Sequence, residues 1–477
     1  MIRTSAGALF CMAACTPWAW AGDALGDRAA VVRDQALADP IAYEIVESLT
    51  TEVGQRLAGT AAAARARDWG LAKLTRLGFV NVHAEPFPIT AWIRGAESAE
   101  VTAPFPQRLA ILGLGGSVPT PAAGIDAEAV ILSTYAQLLA LPPGALTGRI
   151  AVVTQPMART MDGSGYGAAN AVRRSGASEA ARRGAVAYLH RSLATGTSRA
   201  AHTGALNYAA DAPRIPAAAL SVVDAELLQR MASRGQPIRL RLRLASQVDA
   251  HAVAWSVSGD IRGSAKPDEI LLVGGHLDSW DPGTGAIDDA AGIAIVTAAA
   301  RLAGAPAHPP KRTLRVVMFG AEEMNFSNAA FTAAHRAESP ALVVIGESDA
   351  GADNLWSVQL PAGASNHPAM QSLSAVLAPL RVFISPEPAR RGGSDIAGLV
   401  QLGVPVVAFR QDASRYFDWH HSAEDTLDKV DPAQLNQNVA AWAAFLYLVA
   451  NSDIDFRTPA PQGAAPAPQE AAPAPLR

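Results

Sequence analysis

The sequence predicts an α/β three-layer sandwich on a mostly parallel mixed sheet, interrupted by a second, smaller α/β domain. Three observations carry this expectation. Beyond Val248, residues 270–273, 314–319, 342–345 and 404–409 are almost continuously apolar, as strands buried on both faces are. Helical segments alternate with them, chiefly 291–302 and 435–449, an order that lays helices on both faces of such a sheet. From about 98 to 248 the texture differs, with short strand-like pieces between Gly- and Pro-rich turns. The chain of 477 residues also exceeds the size at which one core usually stops growing, about 250–300 residues.

The N-terminus carries Arg3 and then an apolar run over 6–20 that is too short to span a bilayer as a stable helix. It closes on Ala19-Trp20-Ala21, with small residues where a signal peptidase requires them, so residues 1–21 are expected to be a signal peptide. The mature chain would begin at Gly22 and be exported, to the periplasm or the exterior. An alternative makes Cys15, after Met12-Ala13-Ala14, a lipid anchor, with Met standing where Leu is usual. Cys11 and Cys15 are the two cysteines, so the mature chain would form no disulfide, and any metal would depend on His, Asp and Glu. No later stretch is apolar enough to insert stably in a membrane.

Residues 23–78 read as helical, with Ile41, Ile45, Val46 and Leu49 on one face and Trp69, Leu71, Leu74 and Leu77 on another. A turn at 56–60 separates them, and 79–87 reads as a strand closed by Pro86 and Pro88. Within 98–248, a strand at 150–153, an Arg-rich helix at 177–183, a strand leading from 184 to 189 and the alternation Ile238, Leu240, Leu242, Leu244 follow one another. The expected division is therefore one domain from 22–97 and 249–457, an insert at 98–248, and a tail at 458–477 too rich in Pro and Ala to bury a core. Composition, 49% hydrophobic and 17% charged, is that of a soluble globular chain. A net charge of −4 without a basic tract argues against nucleic-acid binding.

The chemistry-bearing residues fall just beyond the predicted strands, where open α/β sheets collect ligands. His276 follows the run at 270–273 within Gly-Gly-His-Leu-Asp-Ser, and Asp278 is placed to take the second imidazole nitrogen and fix the tautomer of a metal-binding histidine. Asp288 and Asp289 open an Ala-rich helix. Acids there are ordinary helix caps, yet a carboxylate so pinned can bridge two cations, the role expected of Asp288 with Asp289 in support. Glu322 and Glu323 follow 314–320, and two adjacent carboxylates are costly to hold together unless cations stabilise them or one is protonated. Consecutive side chains diverge, so one can bind metal while the other faces a water. Asp349 follows the next strand, and His420-His421 lies beyond the one after it.

The series GGHLDS, GAIDDAAG, GAEEMN, ESDAG and HHSAEDT, in this order, resembles the di-zinc aminopeptidase superfamily over roughly residues 40–455. ESDAG, RGGSDIAGL and the interrupted N-terminal half resemble its carboxypeptidase Q-like branch, and the order of pieces in 98–248 resembles the protease-associated domain inserted in several peptidases. Carried over by motif, the resemblance implies two zinc ions per chain. His276 and Asp349 would hold one and Glu323 and His421 the other, with Asp288 bridging and Glu322 as catalytic base. His421 is preferred to His420 because the family's ligand stands four residues before the Asp of an Asp-Thr pair, here Asp425-Thr426.

The implied activity is exopeptidase hydrolysis of short unblocked peptides, chiefly dipeptides, by a zinc-bridging hydroxide whose proton Glu322 accepts. Ser394, Asp395 and His420 are expected to line the substrate pocket, and Arg390, Arg391, Arg410 and Arg415 are candidates to meet a free carboxylate. Two alternatives stand beside this reading. One is a non-catalytic receptor or scaffold of the same fold, which predicts a broken ligand set where this one is complete. The other is a single-zinc glutaminyl cyclase-like enzyme, which a zinc count would separate. Whether the insert caps the cleft or forms a homodimer surface stays open.

Overall fold

The computed structural model describes residues 24–305, 307 and 309–457; the expected signal segment with both cysteines, and the tail, lie outside them. The sheet that carries the site has five strands, β1 (Val80–Ile93), β2 (Gln247–Ile261), β3 (Lys266–His276), β4 (Arg312–Phe319) and β5 (Leu342–Glu347). Their spatial order is β1-β2-β4-β3-β5. β3 runs parallel to both β4 and β5, whereas β1–β2 and β2–β4 are antiparallel. The sheet is thus evenly mixed rather than mostly parallel. The reason is the insertion: β1 leads into the intervening segment and β2 returns from it, so these neighbours must run in opposite directions.

Two strand boundaries depart from expectation. β1 continues through Pro86 and Pro88 to Ile93. It is an edge strand, with one side lacking a partner, where a nitrogen without a proton need cost no ladder bond. The apolar run 404–409 touches β5 only through a bridge between Ile345 and Val406. Pro405 has no N–H to donate, and regular pairing begins after it, where Ala408–Gln411 joins Leu355–Gln359 antiparallel in a separate three-stranded sheet.

The helices used below are α1 (Ala24–Ala38), α2 (Ile41–Glu52), α3 (Ala61–Arg76), α4 (Ser164–Arg182), α5 (Ala291–Ala303), α6 (Ser327–His335) and α7 (Pro432–Asn451). Alternation along β3 sends Leu271 and Val273 to one face, packed with α1, α2, α3, α5 and α7, and Ile270 and Leu272 to the other, under Phe331 of α6 and Ile396 and Leu399. Helices therefore cover both faces. Between Glu97 and Leu244 lies a second sheet of eight strands with its own apolar clusters, one including Val152, Leu189 and Leu240, the other Val153, Tyr188 and Val172. α4, which includes the expected helix at 177–183, begins well before it at Ser164. No helix among the described residues is long and apolar enough to cross a membrane.

Candidate metal centre

Close packing of β3 against the start of α5 sets the first ligands. A Cβ at Gly275 would stand 2.5 Å from an Asp289 oxygen and 2.9 Å from the Ile293 nitrogen, so only glycine lets strand and helix approach this far. Asp289 joins them: one oxygen accepts the His276 N–H at 3.0 Å and the other the Gly292 N–H at 2.9 Å. Both carboxylate oxygens of Asp289 are thus taken up by backbone N–H groups. Asp425 acts likewise on the preceding turn, accepting the N–H groups of Ala286 and Ile287, each at 2.7 Å. These bonds deliver Asp288 into the space beyond the strand ends.

The His276 imidazole is buried, and its Nδ1 lies 3.0 Å from the Asp278 carbonyl oxygen. A carbonyl only accepts, so Nδ1 carries the proton and Nε2 is turned toward Asp288 Oδ1 at 3.1 Å and Asp349 Oδ1 at 3.5 Å. His421 repeats the arrangement. Its Nδ1 faces the Thr203 carbonyl at 3.3 Å, and its Nε2 faces Asp288 Oδ2 at 3.2 Å and Glu323 Oε2 at 3.0 Å. Each Nε2 thus meets two carboxylate oxygens, and Asp288 supplies one oxygen to each imidazole. Oxygens that only accept, gathered around nitrogens whose other side is already committed, call for a cation or a proton between them.

The electrostatics point the same way. Burial alone would lower both imidazole pKa values, but the facing carboxylates outweigh it and hold His276 and His421 well above the ordinary range. Burial lifts Asp349 and Glu322 above the usual carboxylate range and pushes Glu323 up to about 8, with neighbouring carboxylates adding to it. Asp288 Oδ2 is buried and makes no hydrogen bond. A site of buried, crowded acids with an orphaned oxygen suits divalent cations with His, Asp and Glu ligands. Two mutually close donor sets occur among the described residues, with ligand atoms within 4.8 Å of one another: His276, Asp288 and Asp349, and Asp288, His420 and His421. The second set contains His420 rather than Glu323. His420 Nε2 stands 3.6 Å from Asp288 and its ring stacks on that of His421, while Glu323 Oε2 lies 3.0 Å from His421 Nε2.

Glu322 and Glu323 diverge. Both backbone N–H groups donate to the Asp278 carboxylate, at 3.0 and 3.3 Å, which fixes their turn. Asp278 therefore serves differently from expectation: its carbonyl, not its carboxylate at 3.7 Å, accepts the hydrogen bond from His276 Nδ1–H. Glu323 turns to His421 and accepts the Trp280 backbone N–H at 3.2 Å, whereas Glu322 accepts the Ser394 hydroxyl. Ser394 lines the cavity. Asp395 does not, which corrects the expectation that it would: it is 1% exposed and accepts from Ser327, while its backbone N–H donates to Glu347 at 3.0 Å.

The adjoining cavity, about 340 Å³, is walled by Asp288, Glu322, Glu323, Asp349 and His421, by His420, Tyr416 and Arg410, and by Tyr166, Asn170, Arg173 and Arg174 of α4. The intervening segment thus faces the cleft. It also grips the histidine loop: the Thr203 N–H donates to the His421 carbonyl at 2.9 Å, and His202 Nδ1 lies 2.6 Å from the His420 carbonyl. His421 itself adopts a left-handed backbone, φ 61°, uncommon for a side chain of its size. Of the candidate arginines, Arg415 pairs with Asp353, Arg410 lines the cavity, and Arg390 and Arg391 do not. Sequence reading missed Arg56, wholly buried, whose guanidinium donates to the carbonyls of Leu277, Thr284 and Gly285 and so ties down the loop from β3 to Asp288. An arginine in a short turn carries no signal of that role. Arg173 was missed for a similar reason, since its helix was placed too late in the chain.

Comparison with known proteins bears on this geometry. The model of peptidase family M28 matches residues 256–446. Bovine carboxypeptidase Q is 37% identical over 411 residues, covering 86% of this chain and 85% of its own. The structure of a peptidase M28 precursor from Shewanella amazonensis superposes with a TM-score of 0.89 at 41% identity, covering 92% of this chain and 99% of that one. A zinc aminopeptidase from Bacillus subtilis shares the fold, with a TM-score of 0.64 at 19% identity over 87% of this chain and 96% of that one.

Proposed function

The chain belongs to peptidase family M28 and is a metallopeptidase, and on that premise we propose that it is a di-zinc exopeptidase cleaving short unblocked peptides, with Glu322 as its proton carrier. The observation that supports this most is the paired arrangement in which each of two imidazole Nε2 atoms meets two carboxylate oxygens and Asp288 is common to both. His276, Asp288 and Asp349 would hold one ion, and Asp288, Glu323 and His421 the other. Bound there, two zinc ions would supply Lewis acidity, acidifying an attacking water and polarising the scissile carbonyl.

The protein's own groups do the rest. The Ser394 hydroxyl holds one oxygen of Glu322, which lines the cavity with the ligands. Burial raises its proton affinity, which suits a group that takes a proton from water and returns it to the departing amine. Residues 98–248, as a protease-associated-like domain, would wall the cleft and keep bulk water and longer chains away from it. Carboxypeptidase Q, by its name, acts at a carboxyl end, and the Bacillus relative is an aminopeptidase; a dipeptidase satisfies both descriptions. We further propose that the chain is exported by its first 21 residues.

The test is Glu322→Gln. It is expected to retain two zinc ions per chain and to lose about 10²- to 10⁴-fold in kcat on dipeptides. Activity within a few-fold of wild type would refute the assignment.

A further inference from the structure

Two cations without an acid partner among the described residues line the same cavity as the acidic groups, and metal binding leaves them unexplained. Arg173 and Arg174 are consecutive on α4, and both line the cavity. Arg173 is only 3% exposed, yet among the described residues no carboxylate pairs with it; its recorded neighbours are His421 Nδ1 at 3.4 Å and the face of Tyr166 at 5.3 Å, and its Nε has no partner. A buried guanidinium is ordinarily satisfied by an acid or, as at Arg56, by several carbonyls, and among the described residues Arg173 bonds to neither. His421 is no substitute, because its Nδ1 is committed to the Thr203 carbonyl. The chain keeps room for this cation: a Cβ at Gly204, φ 136°, would lie under 3.0 Å from the guanidinium.

Arg174 is likewise without an acid among the described residues. One of its nitrogens donates to Asn325 Oδ1 at 3.2 Å, and its Nε has no partner. That bond places it beside the base, since the Asn325 N–H donates to the Glu322 carbonyl at 2.6 Å. Asn170, an earlier residue of the same helix, also lines the cavity. Two forked donors without anions, lining the same small cavity as the proposed ligands Asp288, Glu323, Asp349 and His421, present what a planar carboxylate needs.

We propose that Arg173 and Arg174 receive the free α-carboxylate of the substrate, so that the intervening segment, rather than the metal-bearing part, selects for an unblocked carboxyl end. The proposal rests on the exopeptidase reading and adds its specificity residues. It also explains a short-substrate limit. A cavity of about 340 Å³ lies at the small end of ligand pockets, which run from about 300 to 1,000 Å³, and both those ligands and the two guanidinium groups line it.

The experiment compares L-alanyl-L-alanine with its C-terminal amide on the zinc-loaded full chain. Wild type is expected to favour the free acid, and Arg174→Gln to narrow the acid-to-amide ratio of kcat/KM by about 10- to 100-fold, mainly through KM. Arg173→Lys keeps the charge but not the fork and is expected to narrow it less. It also serves as a second variant should Arg174→Gln fold poorly. An unchanged ratio in both variants, or equal rates on the two peptides by wild type, would overturn the proposal. Hydrolysis of neither peptide by wild type would instead overturn the exopeptidase reading beneath it.

Discussion

Replacing Gly292 by alanine tests how the site is built. Gly292 is the second residue of α5, and in an ordinary helix the change would stabilise by about 1 kcal/mol, since glycine is the poorer helix former. Here an added Cβ would lie under 3.0 Å from the Ser348 carbonyl oxygen and from both carboxylate oxygens of Asp289. The first is backbone one residue before Asp349, and the second is the clamp that holds the end of β3 to α5. Neither is the free end of a flexible chain. Overpacking of this kind costs about 1–3 kcal/mol, and the higher figure applies where backbone must move, so the net expectation is a loss of about 2 kcal/mol. Urea unfolding of the zinc-free protein measures it, with Gly167→Ala as control. Gly167 is an exposed α4 position where a Cβ meets nothing within 4 Å, and there a gain of about 0.5–1 kcal/mol is expected. The displacement should also part Asp288 from Asp349 and weaken zinc binding. Gly292→Ala as stable as its control, with undiminished zinc affinity, would refute this reasoning.

Further predictions follow from the same bonds. Asp278→Asn leaves one acceptor for two N–H groups and is expected to reduce zinc affinity or kcat by about 10- to 100-fold, measured by zinc titration and steady-state kinetics. Chelation should raise amide exchange at 286–290 and 420–425, where carboxylates and imidazoles would lose their counter-ions, and leave the eight-stranded sheet unchanged; uniform protection would contradict it. Far from the site, His335 lies 2.9 Å from Glu85 and 3.0 Å from Glu338, which outweigh burial and raise its pKa to about 9. A raised folded-state value means the stabilisation is whole below the ordinary imidazole pKa of about 6.5 and is lost as pH climbs through 9. With the side chain 15% exposed, about 1–2 kcal/mol is at stake after allowance for screening. The stability of wild type should therefore fall over that window more than that of His335→Gln, and parallel curves would refute the assignment.

Much of the candidate site was legible because His276, Glu322, Glu323 and Asp349 end or follow buried strands and Asp288 precedes a buried helix, whereas His421 lies in a loop between short 3-10 turns. His276, Glu322 with Glu323, and Asp349 all follow apolar runs that became β3, β4 and β5. What the sequence hid depends on approach in space rather than on local pattern. No periodicity shows that Arg56 would thread among the carbonyls of a loop more than 200 residues away, or that α4 would bring Arg173 beside His421. Asp395 was misjudged because adjacency to Ser394 says nothing of direction: one side chain faces Glu322 and the other is buried against Ser327. The antiparallel half of the sheet was hidden too, since β1 and β2 meet only across the intervening segment. The apolar stretch at 404–409 looked like another buried strand, and a single proline at its second position limits it to one bridge.

In the proposed di-zinc site, two cations would sit between His276 and His421 and the carboxylates they face, with Asp288 common to both. Zinc content per chain after extensive dialysis tests it most directly, measured by mass spectrometry on wild type, His276→Ala, His421→Ala and Asp288→Ala. Two ions are expected in wild type, one tightly held ion in each histidine variant, and loss of both from Asp288→Ala. A single ion in wild type, or two that survive the loss of Asp288, would contradict it.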